Sequence, residues 1–131
     1  MQNPLPSKTN LQPALVHRAI LVMDSRTVRT PLRRRAQPKS GWSQLYQAGP
    51  YHLDLSLKWE EAEACLVGQV ISGESVDFGQ AQAYLTQGSE QVHTPLDGSG
   101  RFSFRLESVD DCSLRVHIRD EMVCLEALKL S

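Results

Sequence analysis

The chain is short of long apolar runs, paired cysteines and net charge, and each shortage removes a class of protein. The longest uninterrupted apolar run near its start is Ala19 to Met23, five residues, where a membrane-spanning helix needs about 20. No secretory leader is expected either, because Asn3, Pro4, Pro6, Asn10 and Pro13 precede an apolar stretch that His17 and Arg18 interrupt. Three cysteines, Cys65, Cys112 and Cys124, cannot all pair within one chain, so the sequence does not read as a disulfide scaffold and leans toward a reducing compartment. A cytoplasmic protein without membrane contact is the expectation. Lys+Arg number 14 against 15 Asp+Glu, for a net charge of -1, and this excludes a uniformly basic nucleic-acid binder.

What is present is enough for one domain. The 131 residues are 40% hydrophobic and 22% charged, close to ordinary globular usage. The neutral total conceals an asymmetry: residues 1–58 hold nine Lys/Arg and two acids, residues 59–131 five and thirteen, so the parts carry +7 and -8. Residues 1–13 are polar and proline-punctuated and read as a flexible N-terminal arm, leaving residues 14–131 as a single domain. Ala14 to Asp24 is apolar in both alternation phases and reads as a strand buried on much of both faces. Residues 25–42 then break every pattern with Pro31, Pro38 and Gly41, and carry Arg26, Arg29, Arg33, Arg34, Arg35 and Lys39 without one acid. They read as a basic loop.

Beyond that loop the period of two becomes regular. Ser43 to Ala48 reads as a short strand closed by Gly49-Pro50. Tyr51 to Trp59 alternates, with Tyr51, Leu53, Leu55, Leu57 and Trp59 on one face and His52, Asp54, Ser56 and Lys58 on the other. Glu60 to Ala64 has helix-favouring letters but is too short for a helix, and reads as an acidic hairpin tip. Strands follow at Cys65 to Ile71, Ala81 to Gln87, Gln91 to Thr94, Arg101 to Leu106 and Cys112 to Arg119. The run Asp97-Gly98-Ser99-Gly100 is the strongest turn signal. Glu121 to Leu130 also favours helix by its letters, yet it follows an Asp120-Glu121 reversal and reads as a strand with a bulge near Ala127 and Leu128. The expected fold is all-β: an antiparallel β-sandwich of seven to eight strands, prealbumin-like or immunoglobulin-like.

Leu66-Val67-Gly68-Gln69-Val70, Ala81 to Leu85, and Thr94 with Leu96-Asp97-Gly98-Ser99-Gly100-Arg101-Phe102-Ser103-Phe104 together resemble the carboxypeptidase regulatory-like domains. The resemblance covers about half the chain and departs after the Phe strand, where Ser108 to Leu114 lacks the family's Pro-Gly and Tyr-x-Leu. Leu45 to Leu55 is similar to a segment that precedes this domain in some bacterial regulatory proteins. The resemblance implies a prealbumin-type (transthyretin-like) sandwich acting as an accessory module that docks partners without a catalytic group. One branch of that fold is a hydrolase of 5-hydroxyisourate, marked by a terminal Tyr-Arg-Gly-Ser and paired histidines. Here the last residues are Leu128-Lys129-Leu130-Ser131, and that activity is not implied.

No side-chain constellation carries a reaction. Cys112, His117 and Cys124 are the nearest approach to a metal set, but no two cysteines lie two to four apart and strand parity puts Cys112 and His117 on opposite faces. Asp77, Asp97 and Ser99 lack the spacing and terminal bidentate acid of a calcium loop. Gly98-Ser99-Gly100 is not a nucleophile elbow. No catalytic residue, cofactor or metal is therefore expected. Partner contact falls to Arg26, Arg29, Arg33, Arg34, Arg35 and Lys39, or to an exposed strand edge that would also serve a homodimer. The leading expectation is a non-catalytic interaction or regulatory module with a protein partner. The alternatives are a nucleic-acid-associated protein using the arginine run, with Trp42 and Tyr46 free to stack, and a transthyretin-like hydrolase with a deep polar pocket.

Overall fold

The structure, a computed structural model, describes residues 15–26 and 41–130. These form ten strands and no helix: β1 (Leu15–Arg18), β2 (Ile20–Asp24), β3 (Trp42–Ala48), β4 (Tyr51–Glu60), β5 (Glu63–Ser72), β6 (Gln82–Gln87), β7 (Glu90–Pro95), β8 (Arg101–Leu106), β9 (Cys112–Ile118) and β10 (Glu121–Leu128). They lie in two five-stranded sheets, ordered β1-β10-β9-β6-β7 and β2-β3-β4-β5-β8. Every pairing is antiparallel except β1 with β10, which is parallel. The fold is thus all-β as expected, but with ten strands rather than seven or eight.

Alternation builds the core. Tyr51, Leu53, Leu55 and Leu57 of β4 are buried while His52, Asp54 and Lys58 are exposed. Ala64, Leu66 and Val70 of β5 and Phe102, Phe104 and Leu106 of β8 continue the same buried face. The other sheet answers with Ala83 and Leu85, Cys112, Leu114, Val116 and Ile118, and Val123, Leu125 and Leu128. All of these belong to one hydrophobic cluster. Burial of each large aliphatic side chain stabilises the fold by roughly 1.5–3 kcal/mol.

Chain reversals follow the sequence closely. Glu61 and Ala62, the acidic tip between β4 and β5, both adopt positive φ, 53° and 77°, the twist of a two-residue hairpin turn. The slip expected near Ala127 and Leu128 is present as a register shift between Leu125 and Leu128 against β9. One turn falls a residue earlier than expected, at Arg119-Asp120, with Arg119 at a φ of 58°.

The first apolar run corrects the sequence reading. Ala14 to Asp24 was expected as one strand buried on much of both faces. Its described part instead divides at Ala19 into two strands on different sheets, β1 beside β10 and β2 beside β3. Both strands end their sheets, so among the described residues their side chains have a neighbouring strand on one flank only. Leu15, Val16, Ile20, Leu21, Val22 and Met23 are accordingly 47–67% exposed. The expected flexible arm, residues 1–13, lies outside the described residues, as does most of the basic loop.

Candidate interaction surface

Of the six basic residues singled out by sequence, Arg26 is described; Arg29, Arg33, Arg34, Arg35 and Lys39 lie outside the described residues. Arg26 is committed to the fold. Its guanidinium sits 4.5 Å from the centroid of the Trp42 ring, Nε donates to Asp24 Oδ1 at 3.3 Å, and Nη1 donates to the Lys129 carbonyl at 3.3 Å. Its backbone N–H donates to the same Asp24 oxygen at 3.0 Å. Arg26 is therefore rooted in the domain by its ring, carboxylate and carbonyl contacts.

That root extends inward through residues the sequence reading passed over. Gln44 Nε2 donates to Asp24 Oδ2 at 2.9 Å, and the Tyr46 hydroxyl donates to Gln44 Oε1 at 2.7 Å. Gln44 is 5% exposed and is the buried polar residue of the described set; both ends of its amide are satisfied, as burial requires. Burial alone would raise the Asp24 carboxyl, but the Arg26 N–H, the Gln44 amide and the Arg26 guanidinium outweigh it and hold the group below its ordinary value. Burial, with Asp24 nearby, pushes the Tyr46 hydroxyl up. Trp42 Nε1 donates to the Leu130 carbonyl at 2.9 Å. Trp42 and Tyr46, the two rings expected to be free to stack on a nucleic acid, are 7% and 6% exposed and close the core instead. A signal for this cluster was available: Gln44 shares its strand parity with Trp42, Tyr46 and Ala48, a polar residue in an inward register.

A second polar cluster fastens β1. His17 Nε2 lies 2.8 Å from Glu121 Oε1, the Tyr51 hydroxyl donates to Glu121 Oε2 at 3.0 Å, and the His17 and Tyr51 rings meet edge to face at 5.9 Å. The hydrogen bond from His17, more than the opposing effect of burial, holds Glu121 below its ordinary value. Burial, helped by Glu121, pushes Tyr51 up to about 12.

The remaining sequence candidates are occupied structurally. Asp97 Oδ1 accepts from the Ser99 N–H, the Ser99 hydroxyl and the Arg101 N–H at 2.9–3.0 Å, bonds that hold the turn and, the Arg101 N–H first, lower its carboxyl. Burial pushes the Cys112 thiol up to about 12, far from a nucleophile's range. Cys112 and Cys124 are buried and Cys65 is partly exposed, none of them in a disulfide. Among the described residues no three His, Cys, Asp or Glu side chains converge as a metal set. An open hollow of about 370 Å³ is lined by Met23, Asp24, Ser25, Ser43, Gln44, Leu45 and Asp54, beside the Arg26 root. On the outer face of the β1 sheet, Tyr84 lies between His93 and His117, at ring distances of 5.4 and 5.0 Å.

Against these satisfied polar groups, the β1–β2 margin stands out. Six of the eight large hydrophobics exposed among the described residues fall between Leu15 and Met23, on the two strands, one ending each sheet, that meet at Ala19. Between Ala19 and Met23 the edge carries no charge. The opposite edges do: β7 begins with Glu90 and ends with Pro95, and β8 exposes Arg101 and Arg105, the latter paired with Glu63 at 3.3 Å. Charge and proline are what blunt a sheet edge against further pairing. No family model matches the chain, and no curated protein or solved structure matches it.

Proposed function

We propose that the chain is a non-catalytic β-sandwich interaction module, prealbumin-like in architecture, that docks a protein partner along the β1–β2 margin. The observation that carries this reading is the exposed run Leu15, Val16, Ile20, Leu21, Val22 and Met23 on two sheet-ending strands. Contiguous exposed apolar surface of this kind marks contact sites, and an uncharged terminal strand offers backbone N–H and C=O groups for strand addition. The resemblance to carboxypeptidase regulatory-like domains favours the same role. So does the employment of Asp24, Gln44, Tyr46, Tyr51, Asp97 and Glu121 in structural hydrogen bonds. Arg26 serves this module through its contacts with Trp42, Asp24 and the Lys129 carbonyl rather than as a partner contact.

The test is paired capture from the native host, with the wild-type chain and with Leu21→Lys plus Val22→Lys as bait, their folds compared by circular dichroism. Wild type should retain a protein that the edge variant loses, while Arg33→Gln/Arg34→Gln/Arg35→Gln retains it. Capture that depends on the three arginines and not on the edge overturns the reading.

A further inference from the structure

We infer that the occupant of the β1–β2 margin is a second copy of this chain, laid antiparallel along the edge so that the two molecules form a symmetric dimer. This rests on the proposed reading of the margin as a protein contact and commits it to one partner.

Three observations favour a copy. The first is the pattern of the edge itself. Every β2 residue before Asp24 is apolar, so an antiparallel copy of β2 centred on Leu21 sets Leu21 against Leu21 and Ile20 against Val22. No polar group is buried in that arrangement. The same alignment turns the Asp24 end of each β2 toward the crossing at Ala19 in the other copy, just beyond which lies Arg18, whereas a parallel alignment would bring the two Asp24 ends together. Asp24 is already bonded to Arg26 and Gln44, so this charge pattern selects direction more than strength.

The second is area. The four exposed β2 side chains, Ile20 to Met23, each about half exposed, present on the order of 400 Å² per molecule, and two molecules together remove on the order of 800 Å² from water, the scale of a weak, transient contact. The third is that the apolar surface covers both faces of the strand. Leu21 is opposite the inward-facing Tyr46 while Ile20 and Met23 are opposite the outward-facing Gln47 and Leu45. A flat binder on one sheet face would leave half of these exposed, but a strand placed alongside covers both. A net charge of -1 offers little long-range repulsion between copies.

The register shift between Leu21 and Met23 shortens the ladder that a copy can add, since a bulge twists an edge away from long pairing. Side-chain burial then carries most of the association, and the dimer is a weak one.

Sedimentation of the full chain from about 1 to about 300 µM spans the range expected of an interface this small. The average mass should climb from that of the monomer toward twice it. Leu21→Lys and Val22→Lys, made separately so that loss of either fold leaves the other informative, should each raise the concentration of half-association at least tenfold. Hydrogen exchange at Ile20 to Asp24 should slow with concentration, while β7 and β8 exchange at one rate throughout. A wild-type chain that stays monomeric across the range overturns the second copy, as does association untouched by both lysine variants or protection that appears at β7 instead. If that monomer still shows edge-dependent capture, the margin docks another protein and only the second copy fails. If capture fails as well, both readings fall.

Discussion

Gly68→Ala should destabilise this protein, although replacing glycine by alanine in a strand ordinarily helps by about 0.5–1 kcal/mol. Gly68 sits mid-strand in β5, opposite Leu55 on one side and Phe102 on the other. A Cβ placed on it would meet Phe102 Cζ at 2.2 Å and both ring Cε atoms at 2.7 Å, where carbon atoms prefer roughly 3.5–4.0 Å. The Phe102 ring fills the space that a side chain at 68 would need, and it cannot yield freely. It is 4% exposed and packs edge to face on Phe104 at 5.9 Å. Overpacking of a dense core costs about 1–3 kcal/mol, so the net loss should be of that order. Unfolding in urea, followed by the fluorescence of Trp42 and Trp59, should then show a midpoint lower by on the order of 1 M at an unchanged slope. The decisive comparison is a double-mutant cycle. Phe102→Leu removes the ring and costs part of the 3–5 kcal/mol typical of Phe→Ala, but with the ring gone the alanine at 68 has room. The double variant should be more stable than the two losses added together by at least about 1 kcal/mol. Gly68→Ala as stable as wild type, or strict additivity with Phe102→Leu, would refute the reasoning.

Three further outcomes follow from the polar clusters. Tyr51 keeps its proton in the folded state up to about pH 12, against 10.0 ordinarily, so the folded chain binds more protons in that window. Stability is full below pH 10 and falls by at most about 3 kcal/mol as pH rises toward 12; Tyr51→Phe should flatten that limb of a urea-midpoint profile. Asp24 and Glu121 have the opposite sign, both being held below their ordinary values of 3.8 and 4.5. Their contribution is present above those values and is lost as pH falls through the folded ones, so Glu121→Gln should reduce the drop in thermal midpoint between neutral and acid pH. Gln44→Leu keeps the bulk of a 5%-exposed side chain but removes the hydrogen bonds that Gln44 makes to Asp24 and to the Tyr46 hydroxyl. It should cost about 1–3 kcal/mol in urea unfolding, and no measurable loss would mean the network is idle.

Strands whose two faces differ were legible from sequence because burial writes a period of two. β4, β8 and β9 fall within a residue or two of where alternation puts them, and the bulge in β10 appeared as a break in the same period. Which side chains meet between strands was not legible. Nothing local in Gly68 announces Phe102, 34 positions away, and nothing in Asp24 announces Gln44 except the parity of Gln44 itself. The basic stretch could be found by composition, but the fixing of Arg26 by Trp42 and the Lys129 carbonyl needed the C-terminal residues brought beside it.

The apolar run from Leu15 to Met23 failed for a different reason, and that reason bears on what the protein does. A strand with apolar residues in both phases has two solutions: the centre of a sheet covered on both faces, or an edge that a further strand will cover. The letters are the same because the chemistry of the finished surface is the same; only the source of the covering strand differs. Sequence reading supplied the cover from within the chain. Sheet order denies it among the described residues, since β10 and β3 lie on one flank of β1 and β2 and no described strand lies on the other. A buried-strand composition at an open margin is thus itself an argument for an outside strand. It also predicts which substitution separates the two cases: Val22→Lys in a covered strand would unfold the domain, whereas here, with Val22 at 53% exposure, it should change stability by no more than about 0.5 kcal/mol in dilute solution while weakening association at least tenfold. An unfolded Val22→Lys variant under dilute conditions would return the run to the interior and remove the margin as a site.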